Sequence, residues 1–475
     1  MINLKKVDWD LYTKWDKKYH LRILASNDEF KPMCIDKVEG SYLITDKGER
    51  ILDMLSGWIC TNIGQRHFKV VQAIKEALEN YGWVPENYVT PYLAELSKII
   101  IEDMMGSDNW AGKARFVLSG SEAIEESNVM AKLYTRRPNM ISVQHSYHGH
   151  TMAAAGCVGI KKNRSSLASP VKDEVIDVPG YPPPGYYYIP APFCYRCPIG
   201  HEYPHCKHNG ELACVQASEE IIETIGSDSI AGMVQEIQIG GSTIVPPPEY
   251  IPQIYRLAKK YGILFIDDEV MCGFGRTGKW FGYQHFDIKP DMVVAAKGIV
   301  SAQLPVAAVI VGKNISDFFD QYRWQHYVTF GGHPLCLAAA VANLKVMMEE
   351  KILENVEKMG KYLEEKLRGV EDRHRSVGYV NGMGLFWGVE LVKNKKTKEP
   401  FIKSDRYARY TGDISDYPVN IMQSKCLEKN VLYSGFVPNT LRIAPPLNTN
   451  EKDLDVAIEA LEYGLTFLDE RCDKS

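Results

Sequence analysis

Residues 263–270 read Ile-Leu-Phe-Ile-Asp-Asp-Glu-Val. Four large apolar residues end abruptly in three carboxylates, the pattern of a buried strand whose C-terminal edge opens onto polar space. Just before it, Glu249–Tyr261 carries apolar residues at helical spacing and stops at Gly262, a C-cap position. Outward from this pair, short β-rich runs recur at Arg115–Leu118, Met140–Gln144, Gly232–Glu236, Met292–Ala295 and Val306–Val311, and Val70–Tyr81 is a further amphipathic helix. Such alternation predicts an α/β domain with a mostly parallel central sheet and helices on both faces.

A chain of 475 residues exceeds what one compact core usually holds. From about Pro334 the pattern changes to a helix (Leu335–Glu349), a charged helical segment, short strands near Gly384–Leu391 and Leu441–Ala444, and a closing helix. We expect residues 65–333 to form a large domain and 334–475 a smaller α+β domain, with 1–64 packed against the latter. Residues 180–215, rich in Pro, Tyr, Cys and His, read as a long irregular insertion. The net charge of -5 argues against a nucleic-acid surface, which is normally basic. The first twenty residues hold no signal-peptide-like apolar run, and Val306–Val311 is too short to span a bilayer, so a cytoplasmic protein without membrane partners is expected.

Four local signals carry chemistry. Ser119-Gly120-Ser121-Glu122 follows a strand and opens a helix. It fits a capping box, and its small residues also leave backbone N–H groups open to a phosphate. Alone, a well-capped helix is the commoner explanation. Asp267-Asp268-Glu269-Val270 ends its strand where a buried acid could pair with a cationic ring nitrogen, although a solvated acidic loop is the ordinary alternative. Lys297 stands in Val-Val-Ala-Ala-Lys-Gly-Ile-Val, where desolvation frees the amine for Schiff-base chemistry; a lysine snorkelling at a strand end would look similar. Tyr147-His148 follows another strand, where an aromatic ring either stacks on a planar ligand or simply packs. Together, a phosphate cradle, an aromatic plate, a pyridinium partner and a buried lysine describe a site for pyridoxal 5′-phosphate (PLP).

These residues resemble the class III aminotransferases, of PLP fold type I. The matching segments are SGSEAIE (119–125), SYHGHT (146–151), DEVMCGFGRTGKWFG (268–282), PDMVVAAKG (290–298), TFGGHPLCLAAA (329–340) and LRIAPPL (441–447). The resemblance implies that Lys297 binds the cofactor covalently and carries the proton, and that Asp268 faces the pyridine nitrogen. It further implies that Val270 packs on the ring, Gly120 and Ser121 bind the phosphate, Tyr147 stacks with His148 beside it, and Glu236 lies near the cofactor. Thr329 matches a threonine reaching the phosphate from the other subunit, which implies a homodimer, or a tetramer built from it, with shared sites. Arg442 matches an arginine that grips a substrate carboxylate, and Trp58 a pocket-lining aromatic; an ordinary salt bridge and a core tryptophan are their alternatives.

Three departures bear on the substrate. Met271 replaces the glutamine of many 4-aminobutyrate-type relatives, Glu236-Ile237 replaces Glu-Pro, and the loop Gln238–Thr243 lacks a glutamate to neutralise Arg442. The resemblance therefore implies ping-pong transfer of an amino group from an ω- or β-amino compound (ω-amino acid, amine or amino sulfonate) to pyruvate or 2-oxoglutarate. The alternative on the same fold is an amino-acid racemase or epimerase; decarboxylation of a dialkyl amino acid and a silent, zinc-bearing binding protein stand further off. No metal is expected at the catalytic site. Cys194, Cys197, Cys206 and Cys214, with His201, His205 and His208 nearby, read as a Cys-rich packed loop more readily than as a structural zinc site, because the second pair lacks compact ligand spacing.

Overall fold

The computed structural model describes residues 7–23, 32–160, 164, 166–169, 174–177, 182–403 and 416–473; residues 180 and 181 of the expected insertion, and 1–6 and 24–31 of the expected N-terminal part, lie outside them. Its centre is a seven-stranded sheet: β1 (Ala111–Val117), β2 (Asn139–Val143), β3 (Tyr186–Ile189), β4 (Ile230–Gln235), β5 (Leu264–Asp268), β6 (Met292–Ala295) and β7 (Ala307–Gly312). The spatial order is β1-β7-β6-β5-β4-β2-β3. The run from β3 to β6 is parallel throughout, and β7 is antiparallel to both of its neighbours. The sheet is thus mostly parallel, as expected.

Strands covered on both faces need no polar alternation, and β4 and β5 are buried at every position. Successive residues of β5 feed different cores. Phe265 joins the apolar cluster that contains Ile254 of the helix Tyr250–Lys260, whereas Ile266 joins the one built with Ala123 and Ile124 of helix α1 (Gly120–Thr135). Period-two alternation then sends Asp267 and Asp268 to opposite faces, with Asp268 on the α1 side.

Among the described residues two larger sheets accompany this centre, besides two two-stranded ones. Ile35–Glu39, Tyr42–Thr45 and Arg50–Asp53 form antiparallel pairs, and Val431–Leu432 joins the last of them in parallel. Val377–Met383, Phe386–Asn394, Thr440–Ile443 and Ser434–Val437 make an antiparallel sheet, with the helix Ile352–Arg373 against its first strand. Buried Arg276 ties these parts together: it donates to the carbonyls of Leu385 and Pro445 and to Asn62 Oδ1. Among the described residues no helix is long and apolar enough to cross a membrane.

One segment differs from expectation. Tyr186–Ile189, inside the stretch read as irregular, is an edge strand paired with β2. Tyrosines favour a pleated, half-buried edge, but Pro-rich flanks and the run's four-residue length hide that preference in the sequence.

Candidate active site

The C-terminal ends of β4, β5 and β6 meet the N-terminus of α1. Ser119 caps that helix by accepting from the Glu122 N–H at 3.2 Å, and Glu122 in turn accepts from the Leu118 N–H at 2.8 Å. The reciprocal bond lands one residue before the position expected of a capping box. Gly120 has no room for a side chain without pressing on its neighbour: a Cβ there would lie 3.1 and 3.2 Å from the two methyl carbons of Val270. Ser121 Oγ accepts from the His150 N–H at 3.2 Å.

Asp268 is buried, and its Oδ2 lies 2.6 Å from His148 Nδ1 while Oδ1 accepts from the Val270 N–H at 3.0 Å. His148 Nε2 is 3.1 Å from Ser142 Oγ, which is 3.1 Å from Ser146 Oγ. Burial alone would lower the pKa of His148, but the Asp268 carboxylate and, more distantly, Glu236 reverse it, and the net shift is upward. Glu236 accepts from the Tyr147 N–H at 2.9 Å and the Gly240 N–H at 2.5 Å, and burial pushes it up to about 7. Tyr147 is half-buried above the glycine loop, where a Cβ at Gly241 would sit 3.5 Å from its own.

Lys297 follows β6 with φ at +48°, a left-handed backbone that non-glycine residues rarely adopt. Its side chain keeps some solvent contact, yet dense packing lowers its pKa, with Arg442 adding to the effect and Cys60 opposing it. Arg442 is buried, its pKa lowered to about 10 by desolvation, and its Nη1 donates to the Gly240 carbonyl at 3.4 Å. Met271 packs against the same glycine, since a Cβ at Gly240 would fall 2.1 Å from its sulfur. Trp58 lies in a short turn with positive φ at Ser56, Gly57 and Ile59, held by Asp53 through the N–H groups of Leu55 and Gly57, and is 52% exposed. Thr329 is exposed too, its carbonyl accepting from the Trp83 indole at 3.0 Å, so it is not enclosed with the buried group.

This set suits a phosphorylated pyridinium aldehyde. The sixteen-residue helix offers its positive end and side-chain-free amides to a phosphate. Asp268 offers a buried carboxylate to a ring N–H, and Lys297 offers an amine of lowered pKa. Ser142 and Gly240 were not singled out from the sequence; only their contacts with His148 and Arg442 mark them.

A second acid pair was also missed. Asp267 and Glu269, both buried, face one another on the side of β5 away from Asp268, and among the described residues no donor other than the carboxyl of Glu269 is placed to reach Asp267. Two such carboxyls must share a proton: Asp267 is raised well above the usual range by burial and by Glu269, and burial pushes Glu269 up to about 7. A raised folded-state pKa adds stability that is complete below the ordinary value of 4.5 and is lost as pH rises through about 7. Glu269→Gln is therefore expected to flatten stability across that window, as read by urea unfolding; an undiminished slope would remove the pair as its cause.

Cys194, Cys197, Cys206 and Cys214 line one small cavity, and burial raises Cys194 to about 11 and Cys214 to about 12. Among the described residues no group of three or more His, Cys, Asp or Glu is placed to hold a metal ion.

Comparison with known proteins agrees with this geometry. The aminotransferase class-III family profile matches residues 23–465. A taurine–pyruvate aminotransferase of Bilophila wadsworthia is 30% identical over 96% of this chain and 97% of its own. A leucine/methionine racemase of Thermococcus litoralis is 30% identical over 94% and 93%. The crystal structure of an S-selective transaminase from Arthrobacter sp. superposes with a TM-score of 0.93 at 41% identity, covering 98% of this chain and 99% of that one. The chain belongs to the class III aminotransferases, PLP-dependent enzymes of fold type I.

Proposed function

We propose that the enzyme moves the amino group of an ω- or β-amino compound, an amine or an amino sulfonate to pyruvate or 2-oxoglutarate in a ping-pong cycle. The observation carrying this reading is the surroundings of Arg442. The loop Gln238–Thr243 beside it bears no carboxylate, and Met271 fills the space against Gly240. Nearby Glu236 is directed to the Tyr147 and Gly240 N–H groups. A planar donor so placed suits a substrate carboxylate, while the apolar wall suits a donor that carries no carboxylate at the amine-bearing carbon. The name of the taurine–pyruvate relative points the same way.

Bound PLP supplies the electron sink for the bond broken at the amine-bearing carbon. In this reading Lys297 Nζ removes that carbon's proton and returns it one position away. Asp268 and His148 hold a proton on the ring nitrogen, Gly120 and Ser121 take the phosphate, Tyr147 and Val270 flank the ring, and Trp58 lines the donor pocket. We take Thr329 to complete the partner subunit's phosphate site in a homodimer, a role its exposure leaves open to it. Residues 1–64 and 334–475 are taken as one smaller unit beside 65–333, a reading supported by the pairing of Val431–Leu432 with Arg50–Asp53.

The decisive experiment offers one donor at a time to the holoenzyme without keto acid. Transamination releases about one equivalent of carbonyl product per site and then stops. Inversion of a chiral amino acid without carbonyl release would instead support the racemase alternative, which the Thermococcus litoralis relative keeps in view. Arg442→Ala is expected to lower kcat/KM for pyruvate roughly 100-fold, the scale of a lost charge-assisted hydrogen-bonded pair, while sparing a carboxylate-free amine. Equal losses with both substrates would count against carboxylate binding.

A further inference from the structure

We infer that Arg196, in the insertion, is a positioning residue that holds Arg442 in place for the carboxylate of the amino acceptor. The inference rests on the reading of Arg442 given above. Arg196 ends the single turn Cys194–Arg196. Its Nε donates to Glu390 Oε1 at 2.7 Å, and its Nη1 to the carbonyl of Lys398. Beside it, Tyr195 lies flat on Tyr379, with ring centroids 5.0 Å apart and planes within 3°.

The contacts fall on one row of the C-terminal sheet. Tyr379 and Glu390 are directly opposed across two strands, and Glu390 and Thr440 across the next two. Glu390 Oε2 accepts from Thr440 Oγ1 at 2.7 Å. Arg442 comes two residues after Thr440, so strand periodicity puts it on the same face, opposite Gly388. That rung meets the glycine loop: a Cβ at Gly388 would lie 2.7 Å from Thr243, and Arg442 donates to Gly240. The insertion and the loop therefore clamp neighbouring rungs of one sheet face.

Glu390 is only 7% exposed. Burial raises its pKa against the opposing pull of Arg196 and Thr440. Without Arg196 a buried acid would be left with one hydroxyl, and it would either take up a proton or swing out. Either response loosens the rung next to Arg442, and bidentate carboxylate recognition tolerates little displacement. The plainer alternative is that Arg196 merely fastens the insertion down, in which case its loss would affect every substrate alike.

The test compares Arg196→Ala, Arg196→Lys and Arg442→Ala holoenzymes with wild type. Arg196→Ala is expected to raise KM for pyruvate about tenfold, with kcat and the KM for a carboxylate-free amine donor within about twofold. The calorimetric Kd of propionate, which has the carboxylate but nothing to react, should rise in step. Arg196→Lys should recover part of both. Should Arg196→Ala fail to fold, Thr440→Val removes the adjoining bond and carries the same expectation. An unchanged pyruvate KM, or parallel changes with both substrates, overturns the inference while Arg442→Ala still discriminates. If Arg442→Ala itself spares pyruvate, the reading of Arg442 fails and the inference falls with it.

Discussion

Lys297→Ala is expected to lower kcat for transamination roughly 10⁴-fold, the upper end of what a positioned acid/base contributes. The left-handed turn after Ala295 places Lys297 at the mouth of the sheet, φ +48°, beside Arg442 and Cys60. Burial and the Arg442 charge lower its pKa, so more of the amine is unprotonated at neutral pH than for an exposed lysine. Lys297→Arg keeps the length and charge but holds its proton, and should be nearly as slow as the alanine variant. Initial rates with donor and pyruvate, alongside circular dichroism to confirm folding, decide it. Activity within tenfold of wild type in either variant would show that another group carries the proton.

Asp268→Asn should cost roughly 10²- to 10³-fold in kcat, the loss typical when one preorganised electrostatic partner is removed. The side chain keeps its shape and loses only its charge. Two consequences are expected, the second from the 2.6 Å contact with His148 Nδ1. In the proposed cycle the ring nitrogen would lose its anionic partner, and His148 loses the main influence raising its pKa, so burial shifts that pKa downward. The loss should therefore appear in kcat with little change in donor KM, and the His148 titration, followed by NMR, should move to lower pH. A variant as fast as wild type within threefold, or an unmoved His148, would detach this carboxylate from the reaction.

Much of this protein is legible along the chain because the relevant forces are local. A run such as Ile263–Ile266 must be buried, and the carboxylates that follow it must come to an edge. Gly262, with φ +61°, ends its helix where the sequence says it should, because only a residue lacking Cβ turns left-handed there without strain. Lys297 was visible for the same reason, since lysine amid valines and alanines contradicts its own solvation. Tyr186–Ile189 escaped notice because an edge strand is decided by the neighbour that pairs with it. The Asp267–Glu269 pair escaped because adjacent acids look solvated until a second layer covers them.

The sequence by itself determined the alternating α/β pattern, the strand-end placement of Asp268 and Lys297, and the family they belong to, since each is written in a contiguous run of side chains. Only the tertiary structure decided the order β1-β7-β6-β5-β4-β2-β3. It alone also decided the meeting of His148 with Asp268, the approach of Arg442 to Gly240, and the row from Arg196 to Thr440. Those contacts join residues from 50 to more than 200 positions apart. Which distant groups come together is settled by the packing of whole layers against one another, and no short stretch of sequence carries that information.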